Sequence, residues 1–169
     1  GLVSSVKDHS GNAYNATEAT NKPTYSATGI NSGPALDFDG TNDILTASAS
    51  ALATLGAFWV AGTVIPDNVT SERCIGSKDV RTTGVEKGLF QIQINAAGNF
   101  IAYVWDRSAA ATLGKRSAGS MSVGVKYTYV FTYDGGVDIR LYVNDTEQTT
   151  VSSSGVFVGT DSTDAPFQI

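Results

Sequence analysis

The segment Thr132-Tyr133-Asp134-Gly135-Gly136-Val137-Asp138-Ile139-Arg140-Leu141-Tyr142-Val143-Asn144 decides the fold. It reads as an aromatic strand, a Gly-Gly turn and a second strand that alternates between two faces. Upstream, Tyr127, Tyr129, Phe131 and Tyr133 share one side, while Thr128, Val130 and Thr132 take the other. Downstream, Ile139, Leu141 and Val143 share a face opposite Arg140, Tyr142 and Asn144. Period-two alternation on both sides of a glycine turn predicts an antiparallel hairpin with one face buried.

Working outward, the same period recurs along the chain. Residues 89–95 alternate Phe90, Ile92 and Ile94 inward with Gln91, Gln93 and Asn95 outward. Ala96-Ala97-Gly98-Asn99 then turns the chain into a strand over 100–105. Residues 35–38 and 44–47 read as strands joined by the turn Asp39-Gly40-Thr41-Asn42. Residues 57–65 are apolar on both faces and predict a central strand, stopped by Pro66-Asp67-Asn68, with Trp59 in the core. Residues 48–55 fit one or two helical turns with Leu52 and Leu55 inward, and 76–88 reads as a mobile loop. Closely spaced strands without intervening helices predict an all-β antiparallel sandwich or barrel, not a parallel α/β fold.

Length and composition agree. At 169 residues a single domain over 1–169 is expected, and such a chain buries roughly 70% of its unfolded surface. Eleven lysines and arginines against sixteen aspartates and glutamates give a net charge of −5. The basic residues are scattered, with Lys115-Arg116 the one basic pair, so the footprint of a nucleic-acid binder is missing. No stretch approaches the roughly 18 apolar residues of a membrane helix, so no membrane insertion is expected. The single cysteine, Cys74, has no partner for an internal disulfide and reads as a small buried apolar residue.

Three motifs, in order, carry a family resemblance. Thr132 to Gly135 and Arg140 to Asn144 match a "TYDG" strand followed by "RLYVNG", with Asp145 where glycine is usual. Ala35-Leu36-Asp37-Phe38-Asp39-Gly40-Thr41-Asn42-Asp43 is close to an "LxFDGxND" hairpin. Asp8-His9-Ser10-Gly11-Asn12-Ala13-Tyr14-Asn15-Ala16-Thr17 looks like a "D-SGNGxxAT" opening. Together they resemble the laminin-G-like group of the concanavalin A-like jelly rolls, in versions closest to bacterial or phage domains. The resemblance implies a jelly-roll sandwich on an exterior surface, extracellular or on a virion. Members usually carry a strand before the first motif and another after the segment matching Pro166-Phe167-Gln168-Ile169. A chain spanning Gly1 to Ile169 therefore reads as a fragment whose terminal strands are missing or supplied elsewhere.

Catalysis is not expected. Glycosidases on related sandwiches need two carboxyl groups about 5–10 Å apart across the sugar bond. Here Glu18, Glu72, Glu86 and Glu147 are far apart in sequence, and Asp37 and Asp39 belong to a turn motif, where aspartate caps backbone amides. His9 sits in a Ser-Gly-Asn turn. The oxygen-rich run from Asp37 to Asp43 suits a hard cation such as calcium, but a hydrogen-bonded turn explains it as well. The resemblance allows a calcium ion at one rim without assigning its ligands. Asn15, Asn68 and Asn144 open sequons that matter only in a eukaryotic secretory pathway.

Sugars bind against flat aromatic faces flanked by fixed polar groups. Tyr103, Trp105, Asp106 and Arg107 offer these in one stretch, Tyr103 sharing a face with Trp105 in a regular strand. They are the expected ligand-binding residues, although Trp105 could equally complete the core. Tyr142 either lines a sheet surface or packs across strands. Two functions follow: a non-catalytic, lectin-like module for a glycan or cell-surface polysaccharide, or a structural or decorating domain of a phage virion or appendage contacting neighbouring subunits.

Overall fold

The computed structural model describes the backbone of residues 1–48, 56–82, 85–160 and 165–169, and the side chains of these except 80–82 and 85–87. The described residues contain strands and turns but no helix. In chain order the first strands are β1 (Ser5–Val6), β2 (Ala16–Thr17), β3 (Thr24–Ile30), β4 (Gly33–Asp37) and β5 (Thr46–Ala47). The long strands follow: β6 (Phe58–Val64), β7 (Arg73–Thr82), β8 (Val85–Ile94), β9 (Asn99–Asp106), β10 (Ala111–Ser120), β11 (Tyr127–Tyr133) and β12 (Ile139–Val143). Short strands close the chain: β13 (Thr146–Glu147), β14 (Thr150–Val151) and β15 (Phe167–Gln168).

These strands form an antiparallel β-sandwich. One sheet runs β1-β2-β5-β15-β7-β8-β9-β10-β14, a second runs β13-β12-β11-β6, and β3-β4 is a separate hairpin. The β11–β12 hairpin forms as its alternation requires, with Tyr133 opposite Ile139 and Tyr129 opposite Val143. Its turn is held by Asp134, whose Oδ1 accepts the amides of Gly136 (2.8 Å) and Asp138 (3.0 Å). Gly135 sits there at φ 87°, where a β-carbon would lie 2.9 Å from the Ala57 nitrogen. Both the left-handed backbone and the close approach demand glycine.

The core lies between the two large sheets. Phe90, Ile92 and Ile94 of β8 meet Phe131, Tyr133, Ile139, Leu141 and Val143 of the facing sheet, as their patterning predicts. Leu89 joins them because it is the extra residue of a bulge on β8, opposite Lys78 and Asp79 of β7. Phe58 packs against Phe90 at 5.2 Å and Phe131 at 5.9 Å between ring centroids. A smaller cluster of Ala16, Leu45 and Ala47 is covered by Leu36 and Phe38, and Phe167 bridges both clusters. The β3-β4 hairpin thus extends the same apolar layer. Lys78 is fully buried on this side and donates its ammonium to the Ala165 carbonyl, which anchors the segment leading into β15.

Four expectations are corrected. Residues 57–65 contribute an edge strand, not a central one: among the described strands β6 pairs with β11 alone and ends its sheet. Trp59 lies opposite Thr132 on the outward face and is 72% exposed, because Phe58, Val60 and Val64 already supply the inward side. The strands flanking Asp39-Gly40-Thr41-Asn42 do not pair with each other. β4 pairs with β3, whereas β5 pairs with β2 and β15, so this turn crosses between layers. Most of 76–88 belongs to the β7–β8 hairpin and not to a loop. The helical turn expected at 48–55 falls almost entirely outside the described residues.

Aspartate and glutamate side chains brace several turns. Asp8 accepts the Ser10 and Tyr14 amides, Glu18 those of Ala19, Thr20 and Asn21, and Asp39 those of Thr41, Asn42 and Asp43. Asp134 does the same in the β11–β12 turn. Backbone N–H donation holds each carboxyl below its ordinary value of 3.8 for aspartate or 4.5 for glutamate. Below those values the unfolded chain takes up protons before the folded one, so protonation favours unfolding. Stability from these turns is complete above about pH 5 and is lost as pH falls through the depressed values, below about 4. A melting temperature that is flat from pH 7 to 5 and drops below 4 is expected from calorimetry. An unchanged melting temperature down to pH 3 would count against these bonds.

Candidate functional site

The face of β7–β9 turned away from the core is polar yet largely buried. Ser77, Asp79, Gln91, Gln93 and Trp105 are all buried there. Gln91 and Gln93 point outward from the core as expected, but opposite Tyr103 and Ile101 of β9 they are covered by their neighbours. The Tyr103 hydroxyl donates to Gln91 Oε1 at 2.6 Å and reaches Gln93 Oε1 at 3.4 Å. Satisfied amides of this kind are tolerated away from water. Cys74 departs from its expected burial, since the residue as a whole is exposed. Its surroundings nonetheless desolvate the thiol and push its pKa up, which disfavours the reactive thiolate.

Regular β9 geometry puts Tyr103 and Trp105 on one face, with ring centroids 4.8 Å apart in an edge-on arrangement. Arg107 folds back from the end of the strand and lays its guanidinium 4.2 Å from the centroid of the Trp105 ring. The same group meets Asp79 Oδ1 at 3.1 Å. The guanidinium fits because position 88 is glycine. A β-carbon there would stand 2.6 Å from Asp79 Oδ1, 2.8 Å from Arg107 Nη2 and 2.9 Å from Trp105 Cε3. Trp105 is therefore only 5% exposed, yet it lies outside the sandwich core.

Beside this stack is an open cleft of about 220 Å³, lined by Trp105, Asp106, Arg107, Ala110, Ala111 and Thr112. Asp106 forms part of its wall, but its carboxylate is engaged by its own scaffold. Oδ1 accepts Ser108 Oγ (2.8 Å) and the Ala109 amide (2.9 Å), and Oδ2 accepts the Val158 amide at 3.1 Å. Those bonds, led by the Ala109 amide, hold its pKa below the ordinary value. The geometry makes Asp106 a clamp that ties the β9–β10 turn to residues 157–159. Tyr103 does not line the cleft; it braces Trp105 from the side.

Of the four ligand-binding candidates, the structure thus brings Trp105, Asp106 and Arg107 to one cleft and sets Tyr103 behind them. Asp79, Gly88 and Thr112 complete the arrangement without having been singled out from sequence. Asp79 and Gly88 escaped because the 76–88 segment carries no period-two signal. Thr112 could have been found only by pairing it with Trp105 across the β9–β10 ladder.

Among the described residues no group of three or more His, Cys, Asp or Glu side chains is placed to hold a metal ion. In the Asp37–Asp43 run, Asp39 is occupied by three amides and Asp43 Oδ2 accepts the Asp39 amide at 2.9 Å. Among the described residues no helix is long and apolar enough to cross a membrane. The chain matches no known protein-family model and no curated protein.

Proposed function

We propose that this sandwich is a laminin-G-like jelly roll acting as a non-catalytic, exterior glycan-binding module. The observation that carries the reading is the cleft at the β9–β10 turn, which Trp105 and the guanidinium stacked on it line together. Its small volume, below the roughly 300–1,000 Å³ typical of ligand pockets, suits the end of a sugar chain more than an enclosed molecule. The nearby carboxyl groups are committed, Asp106 to amides and Asp79 to Arg107. Neither is poised as the acid or base of hydrolysis, which supports binding over turnover.

A glycan array of the intact domain, with and without calcium, tests this. Ala110→Glu places a bulky charge on the exposed wall of the cleft without touching the core. Selective binding that falls at least tenfold in that variant, with an unchanged circular-dichroism spectrum, is the expected result. No binding in either condition transfers the assignment to the second reading, a virion or appendage domain that contacts neighbouring protein subunits. Exposed Trp59, followed along β6 by exposed Ala61 and Thr63, favours that alternative.

A further inference from the structure

Four strand ends bound the two large sheets, and three of them are protected by being short. The nine-stranded sheet ends in β1 and β14, and the four-stranded sheet begins with β13, each of two residues. The β3-β4 hairpin is guarded differently. Its register is broken between Ser26 and Ile30, β4 carries Pro34, and the β3 end is bonded to the chain start through Tyr25 N to Gly1 O at 2.7 Å. Bulges, prolines, covered edges and short strands are the usual means by which sheets avoid joining one another.

β6 has none of them. It is seven residues long, Phe58-Trp59-Val60-Ala61-Gly62-Thr63-Val64, with no charge and no proline. Among the described strands it pairs on one side alone, with β11, through an unbroken register from Phe58 to Val64. Its other side presents a row of backbone donors and acceptors without a partner strand among the described residues, and such groups are stabilised by a further strand. The outward side chains beside that row are Trp59, Ala61 and Thr63, all exposed.

We propose that β6 pairs antiparallel with β6 of a second copy of this chain, joining two four-stranded sheets into one of eight strands. The sequence is self-complementary for this. A two-fold axis at Ala61 sets Phe58 opposite Val64, Trp59 opposite Thr63 and Val60 opposite Gly62. That register pairs all seven residues and keeps each side chain on its present face, so both apolar layers stay inward. Trp59 of one copy then lies across from Thr63 of the other. A small uncharged contact meets no local repulsion although each chain carries a net charge of −5. An edge contact buries little area, so association is expected at micromolar concentrations. The two-fold pairing is closed and involves none of the cleft residues.

Sedimentation equilibrium of the intact chain over about 1–300 µM is the test. The average mass should rise from 17.6 kDa toward twice that value. Ala61→Lys, which sets two ammonium groups against each other on the axis, should stay monomeric, as should Ala61→Glu. An equimolar mixture of the two variants should associate again. A wild-type monomer throughout, a dimeric Ala61→Lys, a mixture that fails to associate, or an open ladder of larger species would each overturn the proposal. Should the variants not fold, hydrogen exchange of the wild type decides. The amides within 58–64 that point away from β11 should slow at least tenfold on going from dilute to concentrated protein, and equal rates would overturn it.

Discussion

Phe90→Ala is expected to cost about 3–5 kcal/mol of folding stability, the range for a large aromatic lost from a closed core. Phe90 is fully buried on the central strand β8. Its ring lies 5.2 Å from Phe58 of the facing sheet and 6.2 Å from Phe167 of β15. It therefore touches both the main core and the residue that links that core to the Ala16–Leu45–Ala47 cluster. The space left behind is walled by two hydrogen-bonded sheets that cannot close together without breaking register, so relaxation recovers little. Set against a total stability of about 5–15 kcal/mol for a domain, the loss removes a large part of it. Urea denaturation should show a much lower midpoint with a similar slope. A change under about 1 kcal/mol would mean that Phe90 does not fill a closed core.

Gly88→Ala should have the next largest effect and act on the cleft. The added methyl group would meet Asp79 Oδ1, Arg107 Nη2 and Trp105 Cε3, all under 3.0 Å. Two of these are ends of side chains that can swing away, whereas the indole is a rigid plane buried on one side. The expected response is displacement of Arg107 from the Trp105 face, costing about 1–3 kcal/mol by overpacking and loss of the stack. Tryptophan emission should shift as Trp105 gains water, and glycan binding should weaken with it. Gly119→Ala is the control, because a β-carbon there meets nothing within 4 Å. Its stability should change by less than about 1 kcal/mol in either direction. Wild-type stability and emission in Gly88→Ala would remove the geometric basis of the cleft.

Strands whose two faces differ were legible from sequence. The alternation through Tyr127–Tyr133 and Ile139–Val143 identifies the β11–β12 hairpin and its buried side, because pleating sends successive side chains to opposite faces. Asp134 and Gly135 mark the turn for equally local reasons. At the site, the shared face of Tyr103 and Trp105 follows from the same rule, and the end of β9 does hold the cleft.

Where both faces of a strand carry similar residues, the local signal vanishes. Phe58–Val64 is apolar throughout, so nothing in it distinguishes a central strand from an edge, or Trp59 inside from Trp59 outside. The partner strands decide that, and among the described strands only β11 pairs with β6. Conversely, the alternation of Gln91 and Gln93 with Phe90 and Ile92 correctly separates two faces. It says nothing of whether the polar face reaches water, which depends on Tyr103, Trp105 and Arg107 folding over it. Asp106 looked like a ligand group by its neighbours in sequence, yet the amide of Val158, fifty-two positions away, engages it as a clamp.

The sequence by itself thus determined an all-β antiparallel fold, its main hairpin with that hairpin's turn, and the inward faces of β8, β11 and β12, since these rest on backbone period and short-range hydrogen bonds. Only the tertiary structure decided which tryptophan is exposed, which glycine admits the Arg107 guanidinium and which strand is left with an open edge. Those outcomes depend on contacts between segments far apart in the chain, and such contacts leave no period in the sequence to read.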